Sequence, residues 1–170
     1  MSNPNETPSE PGPELEPAPF FSRFPPPLTY IVVYVIGLAI HQWLPIWIIP
    51  ESYRSALAIV GGFLVAIGLL LAFASFALFL HRRTTVKPHG EPVNLIDVGP
   101  FIVSRNPMYL SLTLIYVGAA VWQAMLWPLI LVVIPVAIVN SITIPFEERR
   151  LRTIFGASYE EYCRRVRRWI

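Results

Sequence analysis

The chain has 170 residues, of which 54% are hydrophobic and 14% are charged, whereas about 25% of the residues in a soluble globular domain are charged. This composition argues against a soluble cytosolic enzyme. The net charge of +2 is small and the basic residues are scattered, which argues against nucleic acid as a partner, and the lone cysteine, Cys163, excludes an internal disulfide.

The first segment, residues 1–27, is rich in proline and polar residues. It holds nine of the 18 prolines and four glutamates, and no basic residue precedes Arg23. Such a composition cannot bury enough apolar surface to fold, so we predict a disordered cytoplasmic tail. The segment also lacks the basic start and apolar run of a secretory signal, so we expect the first membrane segment to be retained.

Three uncharged runs follow, over residues 24–50, 55–80 and 106–146. At about 1.5 Å per residue the second run measures roughly 39 Å as one helix, which is enough to cross a hydrocarbon core of about 30 Å. The third run has 41 residues and should fold back as two helices near Trp122 to Pro128. The predicted fold is all-α and polytopic, with four transmembrane helices: two within residues 28–80, and two within residues 81–170, followed by a cytoplasmic amphipathic helical tail.

The distribution of basic residues predicts the orientation. With four spans, 12 of the 13 basic residues lie on one side and only Arg54 lies on the other. Since Lys and Arg in short loops stay on the cytoplasmic side, both termini should be cytoplasmic. Tryptophans should mark the opposite interface, namely Trp43, Trp47, Trp122 and Trp127.

Small residues of the second helix should allow close packing, namely Ala58, Gly61, Gly62 and Gly68. Prolines should kink or unwind the last helix, namely Pro128, Pro135 and Pro145.

Polar residues are concentrated in segments 81–105 and 147–170. Asn106 suits a helix N-cap and Pro107 a first helical position, so the third span should begin there. A helix N-terminus can hold a carboxylate or a phosphate, although a simple capped helix with Arg105 at the lipid headgroups explains the same residues. The adjacent Glu147 and Glu148 at the bilayer edge are candidates for a functional site because charge is costly there.

The C-terminal tail has one apolar face and one basic face. Gly156 should interrupt this helix, and Ser158 with Glu161 forms a capping-box pattern that would restart it. One interpretation is a surface helix whose arginines meet anionic membrane lipid. No two histidines have metal-ligand spacing, so we expect no metal site. The apolar positions recur at helical intervals: Leu151, Phe155, Tyr159, Tyr162, Val166 and Trp169.

Motifs on both sides of the predicted hairpin resemble the isoprenylcysteine carboxyl methyltransferase family, in the form of its prokaryotic branch. The resemblance covers residues 81–170, whereas residues 28–80 match only in being hydrophobic. It rests on Gly99-Pro100-Phe101, Ser104-Arg105-Asn106-Pro107-Met108-Tyr109, Glu147-Glu148 with Leu151, and Phe155-Gly156, Tyr159, Tyr162 and Val166.

The resemblance implies an integral enzyme of a prokaryotic inner (plasma) membrane. It would transfer a methyl group from S-adenosyl-L-methionine to a lipophilic small molecule or lipidated substrate from the bilayer, such as an isoprenylcysteine-like carboxylate. Positioning candidates are Arg105 and Tyr109, and substrate candidates are Arg82, Arg83 and Arg149. The family's cofactor contacts fall on Phe101, Asn106, Pro107, Met108, Tyr109 and Glu147, with a weaker match at Asn94 and Leu95.

Two positions depart from the family pattern. Asn106 replaces a histidine, and Thr143 stands where eukaryotic members carry an arginine that holds the substrate carboxylate. The acceptor therefore stays open between a carboxylate and a thiol, hydroxyl or amine on a lipid.

Two other functions fit the sequence. Intramembrane sterol reductases have a similar Arg-x-Pro-x-Tyr helix start, and a helix N-terminus beside arginines suits the 2′-phosphate of NADPH. An NADPH-dependent reductase of a sterol-like or isoprenoid substrate is therefore one alternative. A non-catalytic membrane scaffold with a basic, lipid-binding tail is the other. Substitution of Glu147 should discriminate the scaffold from either enzyme, because a scaffold needs no cofactor-binding carboxylate.

Overall fold

The computed structural model describes residues 25–46, 50–81 and 95–170, and within these ranges the chain forms helices and no strand. A π-turn at Val139–Thr143 joins two of the helices, and 3-10 turns lie at Glu51–Tyr53 and Gly99–Ile102. The α-helices are α1 (Pro26–Trp43), α2 (Arg54–His81), α3 (Pro107–Trp122), α4 (Leu126–Leu131), α5 (Val133–Ile138), α6 (Ile144–Phe155) and α7 (Ala157–Arg165).

Among the described residues, two helical stretches are long and apolar enough to cross a membrane. They are Glu51–His81 and Leu126–Phe155, and α3 is a shorter apolar helix. The predicted all-helical class is confirmed, while the count of four spans stays a prediction. The third run folds back as predicted, because α3 ends at Trp122 and α4 begins at Leu126, with Ala124 at a φ of 52° in the turn between them.

Helix α1 differs at both ends from the predicted segments. It begins at Pro26, so the last two residues of the predicted tail are helical, in keeping with the preference of proline for first helical positions. It ends at Trp43, because Pro45 cannot continue the helix. Residues 1–24 of the predicted tail and Trp47 lie outside the described residues.

Small residues bring α2 and α3 into close contact. Gly61, Gly68 and Ser75 are buried at intervals of seven along α2. A Cβ atom at Gly61 would lie 2.4 Å from the Trp122 nitrogen and 2.5 Å from the Gly118 oxygen. The prediction of packing was wrong for Gly62, where a Cβ atom would meet nothing within 4 Å. The packing stripe therefore runs through Gly61 and Gly68, as is typical of helices that approach closely in lipid.

The last long helix is interrupted at two of its three prolines. Pro135 lacks an N–H group for the carbonyl four residues earlier, and the helix breaks there between α4 and α5. Pro145 likewise leaves the Ser141 carbonyl without its usual partner, and the π-turn lies at that point. In this turn the Ile144 N–H donates to the Val139 carbonyl, five residues back. The regular α-helical pattern is therefore interrupted at these two prolines, while a bend of the helix axis stays a prediction.

The C-terminal tail folds back against the helices. Gly156, with a φ of 50°, ends α6 as predicted, but α7 begins directly at Ala157 with no side-chain capping bond, so the capping-box prediction was wrong. The apolar face of α7 packs on protein: Tyr159, Tyr162 and Val166 form a core cluster with Ile96 and Phe101. Trp169 packs instead against a second cluster that includes Val139 and Ile144.

Candidate functional site

A cavity of about 480 Å³ lies at the end of the bundle where α3 and α6 begin. Its size falls in the range of small-molecule sites, about 300–1,000 Å³. The first residues of α1 and two residues of α2, Ala72 and Phe79, also line it, so the site extends beyond residues 81–170. Seven predicted cofactor-binding residues line this cavity together: Leu95, Phe101, Asn106, Pro107, Met108, Tyr109 and Glu147. Asn94 lies outside the described residues.

Phe101 forms one wall of the cavity. It lies in the 3-10 turn before α3, where Gly99 has a φ of 61° and approaches the Leu78 side chain. The Phe101 ring meets Phe79 edge-on, with 5.8 Å between centroids, and the Tyr162 hydroxyl donates to the Phe101 carbonyl at 2.8 Å. Helices α2 and α7 therefore hold this wall in place.

Tyr109 and Glu147 connect the two helix starts that face each other across the cavity. Tyr109 lies in the first turn of α3 and Glu147 in the first turn of α6. The Tyr109 hydroxyl donates to Glu147 Oε1 at 2.6 Å. A carboxylate has about four acceptor positions, so this bond leaves Glu147 with capacity to accept from a ligand.

Glu148 has a different role from its neighbour. It is 3% exposed, and Arg105 pairs with its Oε1 at 3.1 Å. Arg168 donates from Nε to Oε1 at 3.2 Å and from Nη2 to Oε2 at 2.8 Å, and these bonds raise the pKa of Arg168. Two guanidinium groups thus compensate one buried carboxylate, as a buried charge requires. Arg105, which we predicted to be a positioning residue, therefore forms an ion pair with Glu148 at the cavity wall.

The start of α3 is confirmed, but Asn106 does not cap it with its side chain. Asn106 stands at the N-cap position and its Nδ2 donates to the Arg168 carbonyl at 3.0 Å. Ser104 Oγ donates to the same carbonyl at 3.2 Å and accepts from the Asn106 N–H at 3.1 Å. The Asn106 and Ser104 side chains therefore bind the main chain of the tail instead of capping α3.

The substrate candidates are distributed differently from the cofactor candidates. Arg82 and Arg83 lie outside the described residues. Arg149 is exposed on α6, whereas the neighbouring Arg150 lines the cavity. Thr143 is buried in the π-turn, one helical turn before Glu147.

Sequence reasoning missed the residues that hold the site together. Arg168 and Trp169 are more than 60 and nearly 30 residues from their partners Asn106 and Asn140, and no local pattern links them. The one signal in the sequence is the adjacent pair Glu147 and Glu148. Neighbouring residues of a helix point in different directions, so these two carboxylates need separate partners. Tyr159 and Tyr162 also line the cavity, and their burial raises the pKa of both hydroxyls.

The fold and the cavity define a helical membrane protein with an internal site of ligand size. A family model described as phospholipid methyltransferase matches residues 56–158, which is more than half of the chain. The protein belongs to the phospholipid methyltransferase family, which falls within the isoprenylcysteine carboxyl methyltransferase-like group, and the resemblance seen in the motifs is confirmed.

One curated relative is an uncharacterized protein of Haemophilus influenzae. It is 36% identical over 63 residues, which are 37% of this chain and 100% of the relative. No solved structure matches the chain.

Proposed function

We propose that the protein is an S-adenosyl-L-methionine-dependent methyltransferase of the membrane and that the cavity is its cofactor site. The observation that carries the proposal is the meeting of Asn106–Tyr109 with Glu147 in one cavity, although 38 residues separate Tyr109 from Glu147. When bound, the cofactor supplies an electrophilic methyl group on a sulfonium.

The residues around the cavity fit this cofactor. The start of α3 presents the partial positive charge of a helix N-terminus to a carboxylate such as that of the methionyl part. Glu147 can accept hydrogen bonds from an ammonium group or ribose hydroxyls. The rings of Phe101 and Tyr109 are suited to adenine or, by a cation–π interaction, to the sulfonium.

In this proposal the residues of the chain act by positioning the methyl donor and the acceptor. Methyl transfer to a nucleophile is an in-line displacement, and holding donor and acceptor in register supplies about 7–11 kcal/mol of the barrier reduction. The Tyr109–Glu147 bond fixes α3 against α6, and the apolar lining from Phe79, Phe101 and Ile154 excludes water from the reacting atoms.

The acceptor in this proposal is lipophilic and arrives from the bilayer, with an isoprenylcysteine-like carboxylate as the first class to test. In this proposal the chain has four spans with both termini cytoplasmic, so that the cavity faces the cytoplasm. The support is the spatial arrangement: Arg105 and Arg150 line the cavity, whereas Arg54 pairs with Glu51 at the opposite end. The exposed Trp43 and Trp122 lie at that opposite end.

The test is calorimetric titration of the detergent-purified protein with S-adenosylhomocysteine and, separately, with NADPH. We expect saturable binding of S-adenosylhomocysteine that Glu147→Gln weakens about tenfold, because hydrogen bonds to charged groups are about twice as strong as neutral ones. Glu161→Gln, which changes an exposed glutamate of α7, is the matched control and should leave binding unchanged.

The remaining outcomes separate the alternatives. Binding of NADPH alone would indicate the reductase, and binding of neither ligand would indicate the scaffold. If S-adenosylhomocysteine binds, transfer of a radiolabelled methyl group to prenylcysteine, amine, hydroxyl and thiol acceptors in turn identifies the acceptor class.

A further inference from the structure

The segment that follows α7 crosses from the start of α3 to the start of α6. Helix α7 ends at Arg165, and Val166 is extended, with φ −123° and ψ 131°. We propose that residues 167–169 form a clamp that sets the distance between the two cavity walls, with Arg168 and Trp169 as positioning residues for the cofactor. This inference rests on the proposed function and deepens it.

On the α3 side the clamp uses main-chain carbonyl groups. The Arg167 carbonyl accepts from the Arg105 N–H at 3.0 Å. The Arg168 carbonyl accepts from both Ser104 Oγ and Asn106 Nδ2. Three donors immediately before α3 are therefore held by two successive carbonyls, and one of them belongs to Asn106, the first of the residues proposed to contact the cofactor.

On the α6 side the clamp uses side chains. The Arg168 guanidinium binds both oxygens of Glu148, the residue next to Glu147. The Trp169 indole donates from Nε1 to Asn140 Oδ1 at 3.0 Å. Asn140 lies in the π-turn, seven residues before Glu147, so Trp169 holds the irregular turn from which α6 leads to the cavity.

Neither side chain of the clamp lines the cavity. Arg168 and Trp169 therefore act through Asn106, Glu148 and Asn140. A shift of about 1 Å between reacting groups can cost about a hundredfold in rate, so a group that sets a wall distance affects function without touching a ligand.

The first test compares two indole hydrogen bonds. Trp169→Phe removes the bond to Asn140 and keeps an aromatic ring, and Trp127→Phe removes the 2.7 Å bond to the Leu44 carbonyl at the opposite end of the bundle. We measure S-adenosylhomocysteine affinity by calorimetry and the thermal unfolding of the ligand-free protein. Trp169→Phe should weaken affinity about five- to tenfold and Trp127→Phe less than twofold, with similar changes in unfolding temperature, because each variant loses one hydrogen bond.

The second test uses the ion pair. Arg168→Gln should weaken S-adenosylhomocysteine binding about tenfold, and Arg168→Lys should restore part of it, since an ammonium still donates to Glu148. Arg165→Gln is the matched control on the same tail, because it removes an exposed pair with Asp97 at 3.5 Å and should leave affinity unchanged.

Two failures are distinguishable. If the wild-type protein does not bind S-adenosylhomocysteine, the proposed function is wrong and the clamp inference falls with it. If the wild-type protein binds, but Trp169→Phe and Arg168→Gln change affinity no more than their controls while lowering the unfolding temperature, the proposed function stands and the clamp inference alone is overturned.

Discussion

The two ends of the helical bundle are built by different means. At the end away from the cavity, the turn between α3 and α4 joins consecutive helices, and the contacts include backbone approaches such as Gly37 against Pro128, where a Cβ atom would lie 2.8 Å from the Pro128 Cα atom. At the cavity end, charged and polar side chains from distant parts of the sequence meet, as Arg105 and Glu148 do. One end is shaped by size, turn geometry and neutral hydrogen bonds such as that of Trp127 to the Leu44 carbonyl, and the other by long-range pairing of charged groups.

The largest expected effect is at the buried carboxylate of the cavity end. Glu148→Gln leaves two guanidinium groups without their counter-charge, and breaking a buried pair from one side costs about 3–5 kcal/mol. We expect a loss of about 3 kcal/mol in unfolding free energy, measured by denaturant titration in detergent. Glu160→Gln removes an exposed pair with Arg152 and should cost below about 1 kcal/mol. Equal losses would contradict the contrast between the two pairs.

A smaller effect is expected where α2 meets α3 near the opposite end. Gly61→Ala places a methyl group 2.4 Å from the Trp122 nitrogen, so the helices must separate, and we expect a cost of about 2 kcal/mol in unfolding free energy. The control is Gly62→Ala, which adds the same atom in open space and should be neutral or slightly stabilising. A destabilised Gly62→Ala protein would show that both faces of α2 are packed.

Removing the bond between the two cavity walls should affect ligand binding more than folding. Tyr109→Phe abolishes donation to Glu147, and we expect S-adenosylhomocysteine affinity to fall about tenfold, in line with the value of a bond to a charged group. Tyr53→Phe, which changes an exposed tyrosine, should leave the calorimetric affinity unchanged. If Tyr109→Phe leaves the affinity unchanged, the Tyr109–Glu147 bond shapes the cavity without contributing to cofactor recognition.

The smallest effect concerns alkaline pH. Burial raises the pKa of Tyr162 in the folded protein, so the folded state retains the proton more strongly than the unfolded state. Its contribution to stability is complete below the ordinary phenol pKa of about 10 and is lost as pH rises through the folded value. Tyr162→Phe should cost about 1 kcal/mol at pH 8 and reduce the fall in stability above about pH 10. An unchanged alkaline slope in thermal unfolding would show that Tyr162 does not titrate during unfolding.

The sequence predicted the features that depend on local chemistry. The start of α3 at Pro107, the break at Gly156 and the fold-back after Trp122 follow from proline, glycine and helix length. Seven residues predicted from the motif resemblance line one cavity, although their role as cofactor contacts stays a prediction. Helical periodicity identified the buried face of α7.

Long-range pairing was beyond prediction from one sequence. Helical periodicity could not show whether the apolar face of the tail meets lipid or protein, because both environments favour the same residues. Nor could the sequence show that Asn106 donates to a carbonyl 62 residues away, since an asparagine before Pro107 is equally typical of a local helix cap.

The π-turn at Val139–Thr143 has a consequence for comparing this chain with its relatives. Such a turn takes up an extra residue, because its carbonyl groups bond five residues ahead while those of an α-helix bond four ahead. Counting regular helical positions across the turn misplaces each later side chain by about 100°, the rotation of one residue. An alignment gap of one residue should therefore occur here when a relative has a regular helix, and shifting the gap elsewhere would equate Glu147 with the wrong position.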